Sequence, residues 1–402
     1  MPSRRTVLKL GVAPLLLGGA PMVRAAPMRV VVIGAGAFGG WTAWWLARRG
    51  ARVTIVDAWG PGNMRASSGG ETRVIRGSYG DRAIYTRMAA RALQLWQERE
   101  RDWGEPFYVK TGVLWMYGSD DSFARASLPI MAAEGFPAER PTVDAARQRW
   151  PQISFEGVSS TLYEPEAGYL LARRSCATVA ERARGLGAAY RVAAAAPFSS
   201  QKPVDRVALE GGDSIAADAF VYACGPWLGS VFPDAIGPRV RSTRQEVFYL
   251  GSPPGDRRFD EGALPVWADF GARLIYGIPG NANRGFKIAD DTAGPTFDPT
   301  SGDRRNSPEA IDAARAFVRV RFPALADAPF LGGEVCQYES SPDSHFIIDR
   351  HPSASNVWIV GGGSGHGFKM GPALGEMVSN LVLSDGEPDP QFRLSRFARR
   401  QA

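Results

Sequence analysis

The residues Met28-Arg-Val-Val-Val-Ile33 form a short β-branched run that leads straight into Gly34-Ala-Gly36-Ala-Phe-Gly39, and the stretch from Trp41 to Arg49 reads as a helix ended by Gly50. A second apolar run, Arg52-Val-Thr-Ile-Val56, stops at Asp57. In this order each glycine has a separate task. Gly34 permits the tight turn, Gly36 lets backbone approach a pyrophosphate, and Gly39 lets the helix pack closely on the strand. Asp57, about 20 residues further on, is placed to accept hydrogen bonds from ribose hydroxyls. The unit predicts an α/β fold with a Rossmann-type dinucleotide site, and by itself it does not separate NAD from FAD.

A second glycine loop near the other end bears on that choice. Asn356-Val-Trp-Ile-Val360 reads as a strand, and after it come Gly363, Gly365, His366, Gly367 and Lys369, then a helix from about Ala373 to Leu383. Such a loop lets backbone lie flat against a ligand, and the helix start offers N–H groups and a positive dipole end. That suits the pyrimidine edge of a flavin, which becomes anionic on reduction, whereas a nicotinamide enzyme has no need of it. FAD is the expected cofactor.

Between the loops, Asp81 to Trp103 carries Ile84, Met88, Ala92, Leu95 and Trp96 at helical spacing, and Arg173 to Gly185 also looks helical. Val113 to Tyr117, Gln245 to Leu250 and Leu274 to Gly277 look strand-like, and Ala217 to Gly225 reads as a further parallel strand ending in a glycine turn. Two discontinuous domains follow. A Rossmann-type FAD-binding domain is expected from 28–105, 165–240 and 332–402. A smaller α+β substrate domain with a mixed sheet is expected from 106–164 and 241–331.

The chain of 402 residues has a net charge of +6. Most of that excess is carried by Arg4, Arg5, Lys9 and Arg24, so the remainder is close to neutral and argues against a nucleic-acid partner. Arg4-Arg5 with the apolar run Leu10 to Ala20 and Val23-Arg24-Ala25 reads as a twin-arginine export signal over 1–25, and a periplasmic or secreted enzyme is expected. The apolar run is too short for the roughly 20 residues of a membrane span, so no stable anchor is expected. Cys176, Cys224 and Cys336 are too few and too scattered for a zinc site or a disulfide framework, and His345, His351 and His366 offer no ligand spacing. No metal is expected.

Several segments together resemble the monomeric sarcosine oxidase and N-methyltryptophan oxidase family of the D-amino-acid-oxidase fold group. They are Gly34 to Gly39, Ser67-Ser-Gly-Gly-Glu-Thr-Arg-Val-Ile-Arg-Gly-Ser-Tyr79, Lys110 to Leu114, Cys336-Gln-Tyr338, His345 to Asp349 and Gly363 to Lys369. The resemblance covers essentially everything after the signal. It implies a thioether from Cys336 to the flavin, and it implies Arg76 and Lys369 as the cations that hold a substrate carboxylate. It further implies Lys287 as the cation that activates oxygen, with Arg73 near the flavin ring on that side. Tyr276 and Tyr338 would line the substrate cavity, and Ser67 and Ser68 would contact cofactor phosphates and the flavin edge. A monomer acting on a small amine with oxygen is implied as well.

The chain departs from the pattern at two places, having Asp291 and Gly69 where the family has histidines. Asp291 would attract a substrate ammonium and disfavour a second substrate carboxylate. Three readings stay open: an oxidase that makes hydrogen peroxide from an N-methyl, fructosyl or cyclic amino acid, a dehydrogenase that passes electrons to a quinone or carrier, and an amine-binding protein without turnover.

Overall fold

The computed structural model describes residues 26–400. The export signal expected at 1–25 lies outside the described residues. Val30 to Ile33 are buried on both sides in the strand Arg29–Ile33, as a continuous β-branched run requires in a sheet covered on both faces. This strand sits inside a six-stranded sheet. The order is Ile347–His351, Ala354–Gly361, Ala219–Tyr222, Arg29–Ile33, Arg52–Asp57, Ala189–Val192. All neighbours run parallel except the edge pair Ile347–His351 and Ala354–Gly361.

The helix after the first glycine loop, Ala37–Arg48, is buried along most of its length because apolar residues surround it. Trp41 stacks on Trp103 at 5.6 Å between ring centroids and meets Trp96 edge-on at 5.1 Å. The helix after the second loop, Gly371–Ser384, crosses Trp41 through its glycines. A Cβ at Gly371 or Gly375 would come within 2.6 Å of Trp41, so the close crossing depends on the missing side chains.

A seven-stranded sheet forms the other layer. Its order is Phe330–Ser340, Arg241–Leu250, Phe286–Asp290, Leu274–Ile278, Val266–Phe270, Val113–Tyr117, Ser160–Glu164. The pairings are antiparallel except Val266–Phe270 with Val113–Tyr117, which makes the sheet mixed. Helix Pro308–Arg321 covers it, with Val318 packed among Trp267, Phe286 and Phe322. A three-stranded sheet of Thr72–Ile75, Gly168–Leu171 and Tyr108–Lys110 completes the frame.

The fold is thus the expected α/β arrangement of a Rossmann-type sheet with a second, mixed sheet. Strand Phe330–Ser340 runs across the division drawn at 332, and all its ladder partners lie in Arg241–Leu250. That strand carries Cys336, Tyr338 and Glu339 from the mixed sheet to the parallel one. Among the described residues no helix is long and apolar enough to cross a membrane.

Candidate active site

A cavity of about 430 Å³ lies along the C-terminal ends of the parallel strands. From strand to neighbouring strand its wall is formed by Asp57, then Gly34 and Gly36, then Cys224 and Gly225, then Gly363. Gly34 has φ +104°, and a Cβ there would collide with the Ala223 carbonyl. A Cβ on Gly39 would collide with the Gly34 carbonyl, so this glycine lines no cavity and instead lets the helix lie on the turn. Gly36 faces open space, with only Ser68 Oγ near the position a Cβ would take. Gly363, Gly365 and Gly367 line the far wall.

The polar residues expected here serve the loops themselves. Asp57 Oδ2 accepts from Ala35 N at 2.7 Å, while Oδ1 accepts from Trp59 N and Gly60 N at 2.9 and 2.7 Å. Ser68 Oγ accepts from Ala37 N at the start of the helix, at 3.2 Å. Among the described residues, two buried oxygens on the cavity wall have no hydrogen-bond partner, Ser67 Oγ and Glu339 Oε2. Such a group costs about 1–3 kcal/mol when left unpaired. A ligand rich in hydroxyl donors would satisfy both, and FAD fits this lining of two glycine loops, an open Gly36 cradle and unpaired acceptors.

A second cavity of about 230 Å³ shares Arg73, Tyr338, Gly365 and Phe368 with the first. It brings together Arg76, Tyr276, Asp291, Cys336, Tyr338 and Lys369 from distant parts of the sequence. Cys336 Sγ accepts from Arg73 Nη2 at 3.3 Å, and the same guanidinium donates to the carbonyls of Ser67 and Thr72 at 2.8 and 2.9 Å. The Arg76 guanidinium lies over the rings of Tyr79 and Trp115, at 4.2 and 5.2 Å from their centroids, and donates to the Ser78 carbonyl. The Lys369 ammonium donates to Tyr79 Oη at 3.0 Å and to the His366 carbonyl at 2.9 Å.

Neither Arg76 nor Lys369 makes an ion pair among the described residues. Burial, and then the Arg76 charge, hold Lys369 well below the usual lysine value. Two adjacent basic side chains outside any ion pair among the described residues could receive an anion through guanidinium and ammonium geometry. Across it, Tyr338 Oη donates to Asp291 Oδ1 at 2.6 Å, and burial pushes the Asp291 carboxyl above its ordinary range.

Lys287 departs from the set because it lines neither cavity. Its ammonium is buried and donates to the Thr72 carbonyl at 2.9 Å and to Thr72 Oγ1 at 3.3 Å. Burial first, then Arg73, pushes it down to about 7. Gly69 is closed to any side chain, since a Cβ would collide with the Asn63 carbonyl. The histidine of the family pattern therefore has no room at this position.

Two buried acids beside these residues were not singled out from the sequence. Glu164, at the end of strand Ser160–Glu164, accepts from Gly77 N at 2.6 Å, Ser78 Oγ at 2.5 Å and Trp115 Nε1 at 2.8 Å. It thereby fixes both the turn after Arg76 and the indole beneath the guanidinium. Glu339 accepts from Gly363 N at 3.2 Å and is pushed up to about 7 by burial, which that hydrogen bond only partly offsets. A lone acid at a strand end gives no periodic signal by which either could have been found. Among the described residues no group of three or more His, Cys, Asp or Glu is placed to hold a metal ion.

The profile of the FAD dependent oxidoreductase (DAO) family matches residues 29–381. The chain is similar to the monomeric sarcosine oxidase of Bacillus sp., with 30% identity over 361 residues that cover 88% of this chain and 92% of that one. It is 29% identical over 378 residues to the N-methyl-L-tryptophan oxidase of Salmonella arizonae, covering 92% of this chain and 99% of that one. Among solved structures, the L-proline dehydrogenase of P. horikoshii superposes with a TM-score of 0.78 at 23% identity, over 93% of this chain and 98% of that one.

Proposed function

The chain belongs to the DAO family of FAD dependent oxidoreductases, and from that premise we propose that it oxidises the C–N bond of a small amino acid bearing an N-methyl or other secondary amine to the imine. One observation carries this reading. Arg76 and Lys369, neither of them in an ion pair among the described residues, face a cavity that shares Arg73, Tyr338, Gly365 and Phe368 with the cofactor cavity.

Bound FAD supplies a two-electron acceptor that oxygen can restore. The chain supplies the rest. Arg76 and Lys369 grip the substrate carboxylate, which fixes the amine relative to the protein. Asp291, held by Tyr338, presents a carboxylate to the amine or to a cationic side chain and repels a second acid. Trp115 and Tyr276 give apolar walls that exclude water. Cys336 is the proposed covalent tether of FAD, and Lys287 the proposed cation that favours electron transfer to oxygen, with hydrogen peroxide as product. Export by a twin-arginine signal at 1–25, after folding and cofactor loading, would deliver a monomeric enzyme to the periplasm or beyond.

The test is hydrogen peroxide release by the signal-cleaved protein across sarcosine, larger N-methyl amino acids, pipecolate, proline and a fructosyl-glycine, with anaerobic flavin bleaching measured alongside. Bleaching with peroxide supports the oxidase. Bleaching without peroxide replaces it with a dehydrogenase that uses another acceptor, and bleaching by no member of the panel removes the proposed substrate class.

A further inference from the structure

Glu339 stands where the two halves of the cofactor cavity meet. Its backbone lies in strand Phe330–Ser340 of the mixed sheet, yet its side chain lines the cavity at the end of the parallel one. The residue is 7% exposed. One carboxylate oxygen accepts from Gly363 N, after strand Ala354–Gly361. The other lies 3.0 Å from where a Cβ on Gly225 would stand, beyond strand Ala219–Tyr222, and has no hydrogen-bond partner among the described residues.

Strand order gives this position a meaning. A dinucleotide laid along the strand ends meets Asp57 first, then Gly34 and Gly36, then the turn at Gly225, then Gly363. The acid beside the first pair of strands suits the ribose, and the glycine loop suits the pyrophosphate. The interval from Gly225 to Gly363 therefore receives the segment between pyrophosphate and flavin ring. In FAD that segment is a polyol chain, whose hydroxyls are hydrogen-bond donors.

We infer that Glu339 binds the polyol hydroxyls of FAD through Oε2, as an acceptor fixed in place by Gly363 and supplied from the mixed sheet. The inference rests on the assignment of FAD to this cavity. It gives the strand that bears Cys336 a second, noncovalent hold on the cofactor, three residues further along.

The test uses the full chain carrying Cys336→Ala, so that flavin exchanges freely, and measures the Kd of FAD and of lumiflavin, which has the ring but no polyol, by flavin fluorescence. Glu339→Gln keeps an acceptor for Gly363 N but turns an amide toward the cavity, and Glu339→Leu removes both functions. Each is expected to weaken FAD by about tenfold, as loss of a buried hydrogen bond does, with lumiflavin unchanged within about twofold. FAD affinity unchanged in both variants overturns the inference. So does an equal loss for FAD and lumiflavin, which would assign Glu339 to shaping the Gly363 loop. Absence of flavin from the native chain, together with no FAD binding by the Cys336→Ala parent, would instead overturn the cofactor assignment on which the inference stands.

Discussion

Tyr338 donates a 2.6 Å hydrogen bond to Asp291 inside the smaller cavity, so the carboxylate is aimed by a residue of strand Phe330–Ser340 that also borders the cofactor cavity. The bond acts against burial, which pushes the Asp291 carboxyl upward. Asp291→Asn should raise KM for the amine about tenfold with kcat changed less than about threefold, the pattern of lost uniform binding. Tyr338→Phe removes a bond that favours the charged form, so Asp291 should hold its proton to higher pH. The acid limb of the kcat/KM profile should then move upward in pH, and a profile that stays in place contradicts the pairing.

Lys287 is the second group whose protonation matters. The ammonium is pushed down to about 7 by burial and by Arg73. Reoxidation of the reduced enzyme by oxygen should therefore slow as pH rises through that value. Lys287→Met should slow reoxidation by about 100-fold or more and leave anaerobic reduction by substrate within about threefold. Stability carries the opposite sign. The unfolded lysine keeps its proton up to about 10.5, so between about 7 and 10.5 the unfolded chain binds more protons and stability rises with pH. Thermal unfolding followed across that range should lose this slope in Lys287→Met.

Glu164 positions Arg76 without lining either cavity, through Gly77 N, Ser78 Oγ and Trp115 Nε1. Glu164→Gln keeps the shape and one acceptor but turns a donor toward groups that themselves donate. It should lower stability by about 1–3 kcal/mol. It should also raise KM for the amino acid while leaving its flavin reduction rate at saturation nearly unchanged. Steady-state kinetics with a denaturant melt would show both, and an unchanged KM would reduce Glu164 to a purely structural role.

Cys336 is the proposed tether, with its sulfur 3.3 Å from Arg73 Nη2. Acid precipitation of the native protein should carry the yellow colour into the pellet, whereas Cys336→Ala should release free FAD to the supernatant. Release of all flavin from the native protein would remove the thioether.

The first unit of the parallel sheet was legible because its parts are contiguous in sequence: the run Arg29–Ile33, its glycines and Asp57 occur together, and Gly34 and Gly39 meet the steric needs assigned to them. Cys336, Arg76 and Lys369 were legible through resemblance rather than periodicity, and the fold brings them around one cavity. Glu164 and Glu339 were not legible, because their partners lie in other strands and loops and an acid at a strand end has no period. Helix Pro308–Arg321 was missed although Ser307 caps it and Pro308 opens it. The Thr72 contact that holds the Lys287 ammonium was not legible either, because it joins strand Phe286–Asp290 to strand Thr72–Ile75, 215 residues apart at the contact.

If Arg76 and Lys369 present an amino-acid carboxylate beside a bound flavin, anaerobic bleaching of the flavin should depend on that carboxylate. Each N-methyl or cyclic amino acid would be compared with its own methyl ester in a stopped-flow spectrophotometer. At least one acid should bleach the flavin about 100-fold faster than its ester, because the ester cannot engage both Arg76 and Lys369. Equal rates for acid and ester, or no bleaching by any acid, would contradict it.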